Sequence, residues 1–507
     1  MRKPFTRHTK PSRWRRCLLL FLVALSNALW LAAQSRLTGL EMNATASGTT
    51  STGDFAPLWL TSNRYGVGSV KPHSAYGRVA IERATQQDST RTWKLGYGLD
   101  LVVAAGFEQV FIPQQYYVEA QWKKLHLTAG AQERPMETKN SELSSGALSL
   151  GINARPVPQI EARVDWFGFP GTKQWWKWKA NLSFGWMTDG YWQKDWSVND
   201  DRYARHSLYH EKSLYWLFGK PEVFPLTYEF GLRMVAIFGG ESYIPNVQRT
   251  EAQYYKHDSS LEGYWKALTC QGNDATDGNN RNVAGDHVGS YVMQLKYHGQ
   301  QWQAKAYFER YFEDHSMLTV QYGIRDMLLG GEVTLPDNPF VSGAVVEYLT
   351  TTHQSGAVFH DPTSSIPELI AARDNYYNHY NFAGWEHHGL TFGNPLLTSP
   401  LYNEAFGYDH QIRFYNNRIK AWHIGLAGDP NNEWHWRLLA SFSRNWGSYD
   451  YPLDDMIHQQ YFLAEATYSP RWATGWTSKL AVGWDHGKLI GNSTGVQFTI
   501  AKRLRLK

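Results

Sequence analysis

Apolar and polar residues alternate one for one from Trp176 to Trp186. Trp176, Trp178, Ala180, Leu182, Phe184 and Trp186 share one side, while Lys177, Lys179, Asn181, Ser183 and Gly185 share the other. Side chains alternate faces along an extended chain, so a period of two predicts a strand and not a helix. Tryptophans bracket the apolar face, as they do where a strand crosses a bilayer between two headgroup levels. A tilted strand of about 9–11 residues spans a membrane, and this segment has that length. Its opposite face carries two lysines, which suit a wet lumen and not a sandwich core.

The pattern recurs. Trp93, Leu95, Tyr97, Leu99 and Leu101 oppose Lys94, Gly96, Gly98 and Asp100; Leu226, Tyr228, Phe230 and Leu232 oppose Thr227, Glu229 and Gly231. Trp302, Ala304, Ala306 and Phe308 repeat it, as do Trp434 to Phe442 and Trp476 to Trp484. Soluble sandwiches also alternate, but over shorter strands with Val, Ile and Leu inside. Aromatic ends around Ala/Leu middles therefore predict an all-β fold, a transmembrane antiparallel β-barrel of about 18 strands. The expected strands cover 74–84, 92–104, 115–122, 124–131, 147–152, 158–166, 175–186, 210–219 and 226–238. They continue over 289–298, 301–312, 340–352, 409–416, 419–427, 433–446, 459–468, 474–484 and 494–503. Short periplasmic turns fall at Lys123-Lys124, His298–Gln301 and Asn416–Asn417. The long inserts, 187–209, 239–288, 313–339 and 353–408, become extracellular loops and the expected working surface.

Composition changes this picture little. The chain of 507 residues holds 23 Trp, 30 Tyr and 43 Gly. A mean hydropathy of −0.49 excludes a bundle of membrane helices but not a barrel, whose strands average two unlike faces. A net charge of +4 gives no global field for nucleic acid. The N-terminus carries Arg2, Lys3, Arg7, Lys10, Arg13, Arg15 and Arg16, then the apolar run Cys17–Leu25 and small residues at Ala32 and Ala33. That order predicts an export signal over 1–34. Residues 35–72, small and polar, read as a periplasmic lead-in, and 73–507 as the barrel. Without the leader Cys270 stands alone, so no intramolecular disulfide or cysteine metal cluster can form.

Two clusters invite chemistry. Between Glu133 and Gln159, the residues Asn140, Glu142 and Arg155 stand among many other polar groups, which suits a sugar surface or a lumenal ion-pair network. Asp374, Asn375, Tyr376, Tyr377 and Asn378, with Trp385 and His387 just beyond, mix flat rings with oriented donors and acceptors. Rings stack on pyranose faces and amides bind hydroxyls, so a carbohydrate is the expected ligand; loop packing explains the same rings. Glu386-His387-His388 lacks the spacing of a helical zinc motif. The Gly/Asn/Asp-rich stretch 271–281 lacks the closing Glu of an EF-hand loop, and is expected to be a flexible loop. No nucleophile elbow or P-loop occurs, so no enzyme, metal or cofactor is expected.

The same stretches resemble the Wzi-type capsule assembly family of outer-membrane proteins. The resemblance rests on A-P-L-W-L-T-S-N-R-Y-G (Ala56–Gly66), W-K-L-G-Y-G-L-D (Trp93–Asp100), K-N-S-E-L-S-S-G (Lys139–Gly146) and N-A-R-P-V-P-Q (Asn153–Gln159). P-L-T-Y-E-F-G-L (Pro225–Leu232), D-N-Y-Y-N-H (Asp374–His379) and G-N-P-L-L-T-S-P (Gly393–Pro400) extend it across the chain. It implies a non-enzymatic surface lectin of the Gram-negative outer membrane that holds capsular polysaccharide. Its partners would be that or another surface polysaccharide, outer-membrane lipid and the barrel assembly machinery, with no cofactor. The final A-K-R-L-R-L-K departs from the terminal aromatic common in barrels. The rival reading is a substrate-selective, porin-like channel, which would keep an open, charged constriction.

Overall fold

The computed structural model describes residues 39–88, 92–197, 201–245, 253–274, 283–313, 325–360, 364 and 370–505. The expected export signal and residues 275–281 of the Gly/Asn/Asp-rich stretch lie outside them. The main sheet has 18 strands. They are β1 (Leu40–Ser51), β2 (His73–Arg83), β3 (Trp93–Ala105), β4 (Phe111–Trp122), β5 (Leu125–Ala131) and β6 (Gln159–Gly168). Next come β7 (Trp176–Trp186), β8 (Leu208–Phe218), β9 (Leu226–Phe238), β10 (Asp286–His298), β11 (Gln303–Glu313) and β12 (Met327–Thr334). The last are β13 (Gly343–Thr350), β14 (Ile419–Asn431), β15 (Trp434–Gly447), β16 (Pro452–Tyr468), β17 (Trp476–Gly487) and β18 (Ser493–Arg505). Each pairs antiparallel with its sequence neighbour, and β1 pairs with β18 from Glu41↔Arg505 to Ser51↔Gly495. The sheet is therefore a closed barrel with no free edge, the form in which strands can satisfy their backbone groups within lipid. Among the described residues no helix is long and apolar enough to cross a membrane.

The alternation assigns the faces correctly. Trp93, Leu182, Leu438 and Leu480 point outward and stay exposed, while Asp100, Glu309, Ser441 and Tyr461 point inward and are buried. At the end with the short turns the outward rings stack across strands. Trp93 meets Trp122 at 6.1 Å, Trp176 meets Phe218 at 5.9 Å and Trp434 meets Tyr468 at 4.6 Å, forming a girdle. Adjacent residues on β17 test the assignment. Leu480→Arg should cost about 2–4 kcal/mol near the midplane and impair assembly. Lys479→Arg should be mild, because Lys479 reaches inward to Glu465 at 3.1 Å. Heat-modifiable migration on gels reads both, and equal tolerance would mean the faces are reversed.

Two expected strands are absent and two unexpected ones replace them. Residues 147–152 and 409–416 lie in irregular chain inside the lumen. Their alternation is genuine, since Leu148, Ile152, Ile412 and Phe414 are buried, but they pack against other inserts and not in the wall. Asn416–Asn417 is accordingly no periplasmic turn. Conversely, the expected lead-in at 35–72 contains β1, whose outward face continues after Leu40 and Met42 with Ala44, Ala46, Gly48 and Thr50 and so shows little apolar contrast over most of its length. β12 lies within the expected insert 313–339; its Gly330-Gly331 pair weakens the pattern.

Long connections cluster at the other end, but three fold back into the barrel. Residues 52–72, with the short helix α1 (Leu58–Thr61), enter first. There the Leu58 amide donates to Asp485 at 2.8 Å and Trp59 Nε1 to Ser441 at 3.2 Å, both on the inner wall. Residues 132–158 and 370–418 complete a plug whose core holds Trp59, Tyr376, Tyr377, Trp385, Tyr402 and Phe414. Outside it, α2 (Gly190–Trp196) and α3 (Leu261–Thr269) lie in the connections after β7 and β9.

Candidate functional site

Two inward glutamates anchor the segment 132–158. Glu309 of β11 accepts from the Leu148 amide at 3.0 Å, the Ser149 amide at 3.3 Å and the Ser290 hydroxyl at 2.7 Å, and pairs with the buried Lys139 ammonium. Glu347 of β13 accepts from the Ser144 hydroxyl at 2.6 Å, the Ser145 amide at 2.7 Å and the Tyr307 hydroxyl at 2.6 Å. His423 of β14 holds the Leu143 carbonyl at 2.8 Å. Buried carboxylates surrounded by donors fix a loop in one geometry. The K-N-S-E-L-S-S-G stretch is thus a plug anchor.

The predicted sugar residues do not form one surface. Asn140 lies near the short-turn end, where its Oδ1 accepts from the Glu142 and Leu143 amides at 2.9 and 3.0 Å. Glu142 is exposed there and contacts His435 at 2.7 Å. The Asp374–Asn378 group lies toward the opposite end. Tyr376, Tyr377 and Trp385 are wholly buried, so their rings cannot stack on a sugar at the surface. Tyr376 donates its hydroxyl to Asp326 at 3.0 Å, Trp385 donates Nε1 to the Ser149 carbonyl at 2.7 Å, and the Tyr377 hydroxyl donates to the Leu148 carbonyl. Asn375 and Asn378 are half-buried; Asn375 donates to Asp450 at 2.6 Å, and Asn378 brackets Phe414 through its amide and carbonyl. Asp374 is half-buried, and its amide donates to the Gln354 carbonyl at 2.9 Å. His387 Nδ1 donates to the Arg155 carbonyl at 3.1 Å while Nε2 accepts from Thr188 at 2.9 Å. Arg155 itself donates to Gln109. Of the two readings of these rings, packing describes Tyr376, Tyr377 and Trp385.

Beside His387, Glu386 is pushed well above the usual carboxylate range by burial and by the neighbouring Asp189. Burial depresses His387, and depresses His388 well below the usual imidazole value. A histidine held neutral contributes stability above its unfolded value of 6.5, lost as pH falls through it. Glu386 acts in the opposite sense. The stability difference between wild type and His388→Gln should therefore narrow on acidification from about pH 7.5 to 5.5. Protease cleavage of the loops measures this, and a constant difference would contradict it.

Between the plug and the wall from β4 to β9 lies a cavity of about 460 Å3. Its charges are largely paired: Arg233 contacts Glu137 at 2.8 Å and Glu211 at 3.5 Å, and Arg134 pairs with Glu161.

A different aromatic group, not singled out from the sequence, lies at the long-loop mouth. Tyr408 stacks on Tyr415 with centroids 4.1 Å apart and planes 5° from parallel, and Tyr451 meets Tyr415 edge-on at 4.8 Å. Trp196 packs on His410 at 5.0 Å. Arg413 ties them together, donating to the Tyr451 hydroxyl at 3.2 Å and to Asp201 at 3.3 Å. Tyr408, Trp196 and Tyr451 are partly exposed, and Tyr380 and Tyr191 are openly so. Partly open rings beside charged groups are the combination that a sugar surface requires. Their signal in sequence was weak, because three separated segments supply them.

No protein-family model matches the chain, and no curated protein matches it. Among solved structures it is similar to Wzi, an outer-membrane protein involved in group 1 capsule assembly in Escherichia coli and described as a carbohydrate-binding β-barrel. The TM-score is 0.53 at 14% identity, over 97% of this chain and 89% of that one. Pseudomonas aeruginosa OpdL (TM-score 0.43, 10% identity, 92% of this chain and 98% of that one) and OprD (0.42, 8%, 92% and 94%) also align. The chain shares the β-barrel fold of Wzi, closed here by 18 strands, and is an outer-membrane protein. The short-turn end is periplasmic and the long-loop end extracellular.

Proposed function

We propose that this barrel binds capsular or another surface polysaccharide at its extracellular mouth and anchors it to the cell, without catalysis. The observation that carries this reading is the filled lumen: three inserts occupy it, 132–158 tied to the wall by Glu309 and Glu347, 52–72 by Asp485 and Ser441, and 370–418 by Glu313. A barrel closed in this way works through its outer surface, and the mouth offers Trp196, Tyr408 and Tyr451 around Arg413. Wzi, of the same fold, is described as carbohydrate-binding. The rings of Tyr376, Tyr377 and Trp385 would serve this function indirectly, by holding the plug. Asp374, Asn375 and Asn378 would serve it through the same framework.

The triple change Trp196, Tyr408 and Tyr451→Ala should release polysaccharide into the medium more than any single change. Weak contacts to a polymer multiply, because each later one is effectively intramolecular. Cell-bound against shed polysaccharide, in a knockout complemented with each variant, measures it; heat-modifiability confirms folding. Unchanged retention in the triple variant would remove the mouth from the site. A substrate-selective channel is the second reading, favoured by the charged cavity of about 460 Å3. Large stable conductance steps in planar bilayers would establish that reading instead.

A further inference from the structure

The connection from β9 to β10 places part of its length on the outside of the barrel wall. Outward residues such as Leu480 are half exposed elsewhere, but on β9 and β10 the same face is covered: Ala236, Phe238 and His287 are buried. Helix α3 supplies cover. Its Tyr264 ring packs at 5.1 Å on Phe184 and at 5.3 Å on Phe238, both outward-facing. Lys212, also outward-facing and directly opposite Leu182 in the register, donates to the Ala267 carbonyl at 3.3 Å and to the Leu268 carbonyl. A cation on a lipid face is expensive, and the carbonyl end of a helix is a fitting partner for it.

The register gives the depth. On β7 the outward face runs between Trp176 and Trp186, and Leu182 lies four residues from the outer tryptophan. The C-terminal end of α3 thus meets the wall within the apolar band, close to its outer rim. The side of α3 away from the wall carries Leu261, 89% exposed, and Trp265, 61% exposed, one turn apart. Beside them Glu262 and Lys266 pair at 2.9 Å. This ridge continues the lipid-facing surface of the wall, and rings with a polar tip favour the boundary between headgroups and acyl chains.

We propose that α3 is an interfacial helix clamped to the outside of the barrel, with its Leu261–Trp265 ridge in the outer leaflet. The occupant of this face is lipid. The inference depends on the membrane setting of the barrel and not on polysaccharide binding.

Site-directed spin labelling tests it in the full chain reconstituted in phospholipid vesicles, with Cys17 and Cys270 changed to Ser. Labels are placed at Leu261→Cys and Trp265→Cys, with Leu480→Cys as the lipid reference and Tyr380→Cys as the water reference. Both references are exposed positions that disturb no packing. Oxygen broadening with loss of nickel-chelate broadening, as at 480, is expected at 261 and 265. Nickel broadening equal to that at 380 would overturn the proposal. So would shielding from both reagents, which is what a second copy or another protein seated on the ridge would give.

Discussion

Glu309→Ala is expected to loosen the plug while leaving the wall assembled. The change strands the buried Lys139 ammonium and deprives the Leu148 and Ser149 amides of their acceptor. Breaking a buried pair by removing one partner costs about 3–5 kcal/mol, because the remaining charge is uncompensated. That cost falls on the segment 132–158, whose other ties include Glu347, His423, Glu161 and Arg233. Planar-bilayer recordings should show frequent opening events that wild type lacks, at unchanged heat-modifiability. Replacing both partners, as Glu309→Leu with Lys139→Met, should restore much of the closure, since neither charge is then left without its partner. Equal leakage from the single and double variants would mean that the pair does not hold the plug. Steady conductance in wild type itself would favour the channel reading.

Trp385→Ala should have an effect of similar size for another reason. The indole is fully buried, packs on Phe392 at 5.4 Å and caps the Ser149 carbonyl. Truncating a buried tryptophan costs about 3–5 kcal/mol through lost contacts and the cavity left behind. The sequence reading had this ring stacking on a sugar, and the two accounts separate experimentally. If packing is its role, polysaccharide retention falls only together with plug integrity, read as protease cleavage within 370–418. Tyr380→Ala, at an exposed position of the same insert, should leave the plug intact. Loss of retention in Trp385→Ala with an unchanged cleavage pattern would return the ring to direct recognition.

The wall was legible because the bilayer imposes a sharp rule on one face of every strand. Trp176, Leu182 and Leu480 announce themselves by contrast with Lys177, Lys179 and Lys479. β1 was not legible because Ala44, Ala46 and Gly48 carry no such contrast. The lumen obeys no comparable rule. Leu148 and Phe414 alternate with polar neighbours as strand residues do, yet they pack in an irregular plug, where long-range partners such as Glu309 decide the conformation. For the same reason the burial of Tyr376, Tyr377 and Trp385 was not legible. A run such as Asp374–Asn378 is rich in binding chemistry, but whether a ring faces a sugar or a neighbouring tyrosine depends on contacts with distant segments. Tyr311 meets Tyr376 edge-on at 4.7 Å, which no local pattern foretells. The mouth cluster, drawn from residues near 196, 408 and 451, has no local signature at all.

The seam between β1 and β18 sets an order of events during biogenesis. Ser47 and Thr499 hydrogen-bond at 2.8 Å although they stand 452 positions apart in sequence. Closing so long a loop is slow compared with zipping neighbouring hairpins together, so the seam forms late. Residues 52–72 follow β1 directly, and their Leu58 and Trp59 bind Asp485 on β17 and Ser441 on β15. The free edge of the first strand, whose other edge pairs with β2, and the first piece of the plug must therefore wait until β15 to β18 are in place. During that interval the chain is an open sheet with two bare edges, the state most exposed to mispairing with other chains.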